Sequence, residues 1–171
     1  MANTKKMLEE IIKNAEYTQK NKALHGAWIG EDGYQYCTDS FRAVMIYNPV
    51  DVKERESEHT LSVKVIFDNA EIDCTEIIDL PSPKEIRAKI SDLIGRKYRT
   101  SRVLYRVGDD VTFPALNAKY LVECMEAIGT TKLKYNPSKP ATSPVLMETD
   151  LGKIALCPVR SITNKTGYWV S

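Results

Sequence analysis

The sequence predicts an α+β fold, and three observations predict it. Two amphipathic stripes stand near the ends of the chain, Leu8, Ile11, Ile12 and Ala15 in one, Ala118, Leu121, Val122, Met125 and Ile128 in the other. Apolar residues three and four apart share one helix face. Short runs rich in β-branched and aromatic residues, bounded by Asp-Gly, Asn-Pro and Gly-Asp turn signals, read as strands. One order of parts, helix, strand, hairpin and strand, runs from residue 3 to 47 and returns from 117 to 157.

At 171 residues the chain has room for one domain, or two small ones, with a sizeable core. Hydrophobic residues at 43% and charged residues at 27% are globular values that exclude a disordered tail. The formal net charge is +1, from 24 basic and 23 acidic side chains. A domain that wraps nucleic acid by itself is far more basic, so any DNA contact must come from a local patch or from a surface repeated by oligomerisation. No apolar run reaches bilayer length, and Met1 to Lys6 leads into a polar helix instead of a signal peptide's apolar core. The expected address is the cytosol (a cytoplasmic protein). Cys37, Cys74, Cys124 and Cys157 are scattered, form no CxxC pair and lie far from His25 and His59. That spacing argues against zinc and for reduced thiols, three of them among apolar neighbours and so expected to be buried.

Taken in order, the first helix is expected from Asn3 to Lys20, capped by Asn3 or Thr4, with Lys5, Lys6, Lys13 and Lys20 off its apolar stripe. Ala27 to Ile29 and Tyr34 to Cys37 flank Glu31-Asp32-Gly33, a hairpin turn. Ala43 to Tyr47 is a third strand, stopped by Asn48-Pro49. Asp51 to Thr60 is strongly charged and reads as an exposed loop. Leu61, Val63, Val65 and Phe67 alternate with polar residues, which predicts a strand, and a further short strand is placed near Glu76 to Leu80. Ser82-Pro83-Lys84-Glu85 starts a helix with an N-cap, a first-turn proline and a capping-box acid; Ile86, Ile90, Leu93 and Ile94 are its stripe and Gly95 its stop. Val103 to Val107 and Val111 to Phe113 flank Gly108-Asp109-Asp110 as a second hairpin. Asn117 caps a third helix ended by Gly129, Leu133 to Tyr135 is a strand, and 136 to 143 is a Pro- and Ser-rich loop. Val145 to Thr149 and Ile154 to Cys157 make the last hairpin, and the tail after Arg160 is polar until Tyr168-Trp169.

The recurring order suggests two similar halves packed about a pseudo-twofold axis, each giving one amphipathic helix to cover a sheet. The boundaries follow: residues 1–60 as first half, 61–113 as an inserted elaboration, 114–160 as second half and 161–171 as tail. Thr38-Asp39 and Thr149-Asp150 precede the last strand of each half, and Pro49-Val50 and Pro158-Val159 close them.

Two stretches resemble the bacterial DNA sliding clamp family, the β subunit of DNA polymerase III. Cys37-Thr38-Asp39-Ser40-Phe41-Arg42-Ala43 is similar to the family's Ala-Thr-Asp-Gly-His-Arg-Leu-Ala turn motif, with Ser40 in place of the glycine and Phe41 in place of the histidine. Leu116-Asn117-Ala118-Lys119-Tyr120-Leu121 is similar to the helix start of the clamp's last domain, and Ile154 to Arg160 to its closing strand. The resemblance covers about half the chain. It implies a single DNA-clamp-like domain of two pseudo-symmetric helix-plus-antiparallel-sheet halves. Clamps carry three such domains per chain and close a ring of six, so a ring here needs a homo-oligomer of six copies.

A clamp does no chemistry and supports processivity in DNA replication, so the resemblance implies a non-enzymatic protein that needs no cofactor. It holds DNA non-specifically through Lys and Arg facing phosphates. The matching residues are Lys5, Lys6, Lys13, Lys20 and Lys119; the alternative is a solvated helix face. Clamps also dock peptides of replication proteins, and the matching positions are Thr38, Phe41, Arg42, Ala43, Ala155, Cys157 and Pro158; the alternative is ordinary core and turn packing. Arg96, Lys97, Arg99 and Arg102, after Lys84, Arg87 and Lys89, form the densest basic run. It reads as an anion contact or as cations complementing a helix C-terminus, worth up to about 1 kcal/mol each. Asp109-Asp110 and Glu71/Asp73 are paired acids, the first of turn type. No P-loop, GxSxG, HExxH or GxGxxG motif occurs. Two rival readings stand beside the clamp: a protein-interaction module or clamp regulator that a mobile element could encode, and a small enzyme or structural protein of two-layer α+β form.

Overall fold

A computed structural model of the chain describes residues 3–56, 63–94, 103–106, 113–159 and 168–170. The fold is α+β: among the described residues there are four α-helices, a seven-stranded sheet paired antiparallel throughout, and a small three-stranded sheet. In chain order the elements are α1 (Thr4–Thr18), a 3-10 turn (Lys22–Leu24), β1 (Trp28–Ile29), β2 (Gln35–Thr38), β3 (Arg42–Ile46), α2 (Lys64–Asp73), β4 (Glu76–Asp79) and α3 (Pro83–Ile94). They continue with β5 (Val103–Arg106), β6 (Ala115–Asn117), α4 (Ala118–Ile128), β7 (Lys132–Tyr135), β8 (Val145–Thr149), β9 (Gly152–Leu156) and β10 (Tyr168–Val170).

The large sheet has the order β1-β2-β3-β9-β8-β7-β4. Its centre is the pairing of β3 with β9, in which Ala43 faces Ala155 and Val44 faces Ile154. Strands from the two ends of the sequence thus share one seam. The small sheet has β5 between β6, antiparallel, and β10, parallel.

One face of the large sheet is covered by α1 and α4. Far apart in sequence, the two helices touch at both ends: Thr4 Oγ1 donates to the Ala127 carbonyl at 2.7 Å, and Asn14 Nδ2 reaches the Tyr120 hydroxyl at 3.3 Å. The start of α1 therefore meets the end of α4, and the helices run antiparallel. Their stripes, Leu8, Ile11 and Ile12 with Leu121, Val122, Met125 and Ile128, enter one core with Val44, Ile46, Val145, Met147, Ile154 and Leu156 of the sheet. Alternation along each strand puts the next residues, Ala43, Met45, Leu146 and Ala155, on the opposite face. There Val63, Phe67, Ala70 and Cys74 close a second, smaller core beneath α2.

Most expected elements lie within a few residues of their places. Asn117 Oδ1 accepts the Tyr120 N–H at 3.1 Å and starts α4, while Gly129, at φ 72°, ends it. Ser82 Oγ accepts the Glu85 N–H at 3.2 Å at the start of α3. Two expectations need correction. The strand expected from Leu61 to Phe67 is instead the entry to α2, and Leu61 lies outside the described residues. Val63, Phe67, Ala70 and Cys74 recur at four, three and four residues and are buried, whereas Val65 is half exposed. A three-member alternation fits helix spacing as well as strand spacing until the following turn is counted. The cap of α1 is neither expected side chain: Asn3 makes no side-chain cap bond, Thr4 is spent on Ala127, and the helix stops at Thr18, short of Lys20. Beside β5 the returning strand is β6, with Leu104 and Tyr105 facing Asn117 and Leu116, while Val107, Val111 and Thr112 of the expected hairpin lie outside the described residues. Gly108-Asp109-Asp110, Gly95 and the basic run Arg96, Lys97, Arg99 and Arg102 lie outside the described residues.

The segment expected to be an elaboration is built into the domain. Its α2 covers the far face, β4 extends the sheet edge beside β7, and α3 packs on α4. Leu121→Ala, a fully buried contact between α4 and the sheet, is expected to lower stability by about 2–5 kcal/mol. Gly152, whose Cβ would overlap the Met45 carbonyl oxygen across the seam, is expected to lose about 1–3 kcal/mol on substitution by alanine. Both are read from urea midpoints of the purified variants.

Candidate functional site

The turn between β2 and β3, Thr38 to Arg42, is organised by one carboxylate. Asp39 is fully buried, and its Oδ1 accepts the backbone N–H groups of Phe41 and Arg42, each at 2.9 Å. Thr38 Oγ1 donates to the Arg42 carbonyl at 2.7 Å and accepts the Ser40 N–H at 3.2 Å. These bonds hold Ser40 at φ 76°, the left-handed region that suits glycine best.

The other oxygen of Asp39 faces the helices. It accepts Arg42 Nε at 3.2 Å, Arg42 Nη2 at 3.1 Å and Asn14 Nδ2 at 2.9 Å. Arg42 is 2% exposed, donates through Nη1 to Glu123 Oε2 at 2.7 Å, and lies 4.1 Å over the Tyr120 ring. Burial pushes the guanidinium down, but the Asp39 and Glu123 charges more than offset that and hold its pKa above the ordinary value. One side chain of β3 thereby joins the turn, α4 and, through Asn14, α1.

Above this cluster the antiparallel helices leave a groove with two adjoining cavities. One, of about 300 Å3, is lined by Lys13, Asn14, Tyr17, Lys119 and Tyr120, with Arg42 and Glu123 at its base. The other, of about 280 Å3, carries Lys6, Arg87, Glu10 and Glu126. Lys5, Lys6, Lys13 and Lys119 are exposed on this helical layer, and Lys20 is exposed just beyond the end of α1. They do not form a uniformly positive face. Within α1, Lys5, Lys6 and Lys13 are matched by Glu9, Glu10 and Glu16; in α4, Lys119 stands with Glu123 and Glu126. Lys119 lies 3.7 Å from Glu123, Lys53 lies 3.2 Å from Glu16, and Arg87 pairs with Glu126.

The seven expected peptide-docking positions are brought together in space, though onto different surfaces. Cys157 N–H donates to the Phe41 carbonyl at 2.9 Å, and Ala43 faces Ala155. Arg42 points to the helices, while Ala43 and Ala155 lie in the core beneath α2. Thr38 and Pro158 are buried; Phe41, at 42% exposure, and Cys157 offer surface. Phe41 packs against Tyr120 with ring centroids 6.0 Å apart. Asn14, Tyr17, Tyr120 and Glu123 complete the site, and sequence patterning does not single them out. Their signal is weak: a polar residue beside an apolar stripe looks the same whether it meets solvent or a buried charge.

Among the described residues no group of three or more His, Cys, Asp or Glu side chains is placed to hold a metal ion, and no helix is long and apolar enough to cross a membrane. Glu71 of the expected acid pair is joined to Lys153. No protein-family model matches the chain, and no curated protein matches it significantly.

Removing Arg42 strands the buried Asp39 charge. Arg42→Leu is expected to cost about 3–5 kcal/mol in urea unfolding, and Glu123→Gln, whose side chain is partly solvated, clearly less. Burial raises the Cys37 and Cys124 thiols to about 12 and Cys74 to about 11. In the native protein at neutral pH, Cys157 is therefore expected to be the cysteine that iodoacetamide alkylates, the other three reacting only after denaturation; peptide mass mapping reads this directly.

Proposed function

We propose that the chain is a non-enzymatic, clamp-like protein associated with DNA replication, working by holding DNA and docking replication proteins. The observation that carries this reading is the strand order about the β3–β9 seam. β1-β2-β3 on one side and β9-β8-β7 on the other stand in reversed sequence order, each set preceded by its own helix, α1 or α4. Two halves related by a pseudo-twofold axis produce this order, and a clamp domain has that plan. The Thr38-Asp39 and Arg42 positions of the turn motif, and the Asn117 helix start, support it because each performs a definite local task. DNA would meet the helical layer, with Lys5, Lys6, Lys13, Lys20 and Lys119 against phosphates. Encirclement by a ring of six copies would compensate for a face whose charges nearly balance, since repetition multiplies weak contacts.

The balance of Lys and Glu on α1 and α4 favours a second reading. In it the domain is a protein-interaction module, or a regulator of a clamp, that does not encircle DNA. Light scattering with and without nicked circular DNA separates the two. The first reading expects a mass near six copies and retention on circular DNA that disappears on linearisation. The second expects a monomer or dimer whose mass ignores DNA. If DNA is held by the helical layer, replacing Lys5, Lys6, Lys13, Lys20 and Lys119 by glutamate is expected to abolish retention. Each phosphate that a lysine no longer neutralises flattens the slope of log affinity against log salt by about 0.9.

A further inference from the structure

We propose that the cleft between the end of α1 and the start of α4 seats an unpaired nucleotide of single-stranded DNA. The inference rests on the reading that the helical layer meets DNA, and adds that this cleft selects single strands over duplex.

The cleft has the two kinds of wall a nucleotide needs. Tyr17 from α1 and Tyr120 from α4 line it with aromatic rings, and Lys13 and Lys119 line it with cationic side chains. Tyr17 is 91% exposed, a large ring that nothing in the described chain covers. Tyr120 is already fixed. The Arg42 guanidinium lies over its ring at 4.1 Å, Phe41 packs beside it, and its hydroxyl accepts from Asn14. One rigid and one free ring suit capture of a planar base by closure of the free one. The volume, about 300 Å3, is of the order of one nucleotide.

The charges around the cleft nearly balance, so a phosphate there would be met by individual lysines and not by a net positive field. Arg42 is matched by the buried Asp39, and Lys13 and Lys119 stand beside Glu10 and Glu123, the latter engaged by Arg42 and Lys119. A bare anion or an acidic peptide would use the lysines and leave Tyr17 idle. A duplex hides the faces of its bases, so it too gains nothing from Tyr17. Stacking on every base equally makes the site indifferent to sequence.

The test is fluorescence anisotropy with a short labelled oligothymidylate and a duplex of the same length, on the intact chain. Tyr17→Ala is expected to weaken oligothymidylate binding about tenfold, the range of one base–aromatic stack, and to leave duplex binding unchanged. Lys13→Ala is expected to weaken both and to flatten the single-strand salt slope by about 0.7. Because both residues are exposed, circular dichroism of the variants should match the parent. The inference is overturned if oligothymidylate binds no better to the parent than to Tyr17→Ala, whatever the duplex does. Duplex retention with no Tyr17 effect would sink this inference and leave the clamp-like reading standing; a Tyr17 effect in a protein that stays monomeric on circular DNA would do the reverse.

Discussion

A buried guanidinium is the constraint on which the arrangement of the domain turns. Arg42 cannot shed its charge, so its removal from water obliges the fold to supply carboxylates in fixed places. Asp39 comes from the same turn, and Glu123 comes from a helix that begins far along the chain. Satisfying one cation therefore sets the distance between the first hairpin and α4. Asn14, bonded to the Asp39 carboxylate, extends the requirement to α1. Such a cluster adds little stability compared with an apolar replacement, yet it penalises every packing in which one member is missing. Its contribution is to the choice of one arrangement of helices over the seam.

The seam itself shows why much of the fold can be read from sequence. Val44, Ile46, Ile154 and Leu156 are apolar, β-prone and flanked by turn residues, so local preference and burial agree. The same holds for α4, where Asn117, the stripe and Gly129 point to one answer. Legibility fails where a pattern is too short to fix its period. Val63, Val65 and Phe67 alternate for three members, and the deciding residues, Ala70 and Cys74, lie beyond the apolar run. The cap of α1 is illegible for a different reason: Thr4 has a tertiary acceptor in Ala127 that no local reading reveals. The site is legible in half. The turn motif points to Thr38 and Arg42, but the facing partners Asn14 and Glu123 depend on how α1 and α4 align, which is a property of the packed domain.

The location of the groove follows from the same geometry. Antiparallel helices packed on a twisted sheet diverge at their solvent side, and the groove opens there, directly over Arg42 and Tyr120. A rigid base of buried polar groups lies under a rim of long side chains. The rim carries cations and carboxylates in nearly equal number, so its net charge is small. That division separates the buried groups that fix the domain from the solvated side chains above them.

The helix α2 rests on the opposite side of the sheet through a few side chains, chiefly Val63, Phe67, Ala70 and Cys74, whereas α1 and α4 share the main core. Opening of α2 would uncover Ala43, Met45 and Leu146 while leaving the seam and both large helices in place. The reverse side of the sheet therefore meets solvent only where α2 leaves it, and Phe67, the largest fully buried side chain of that small core, is the residue on which its closure chiefly depends.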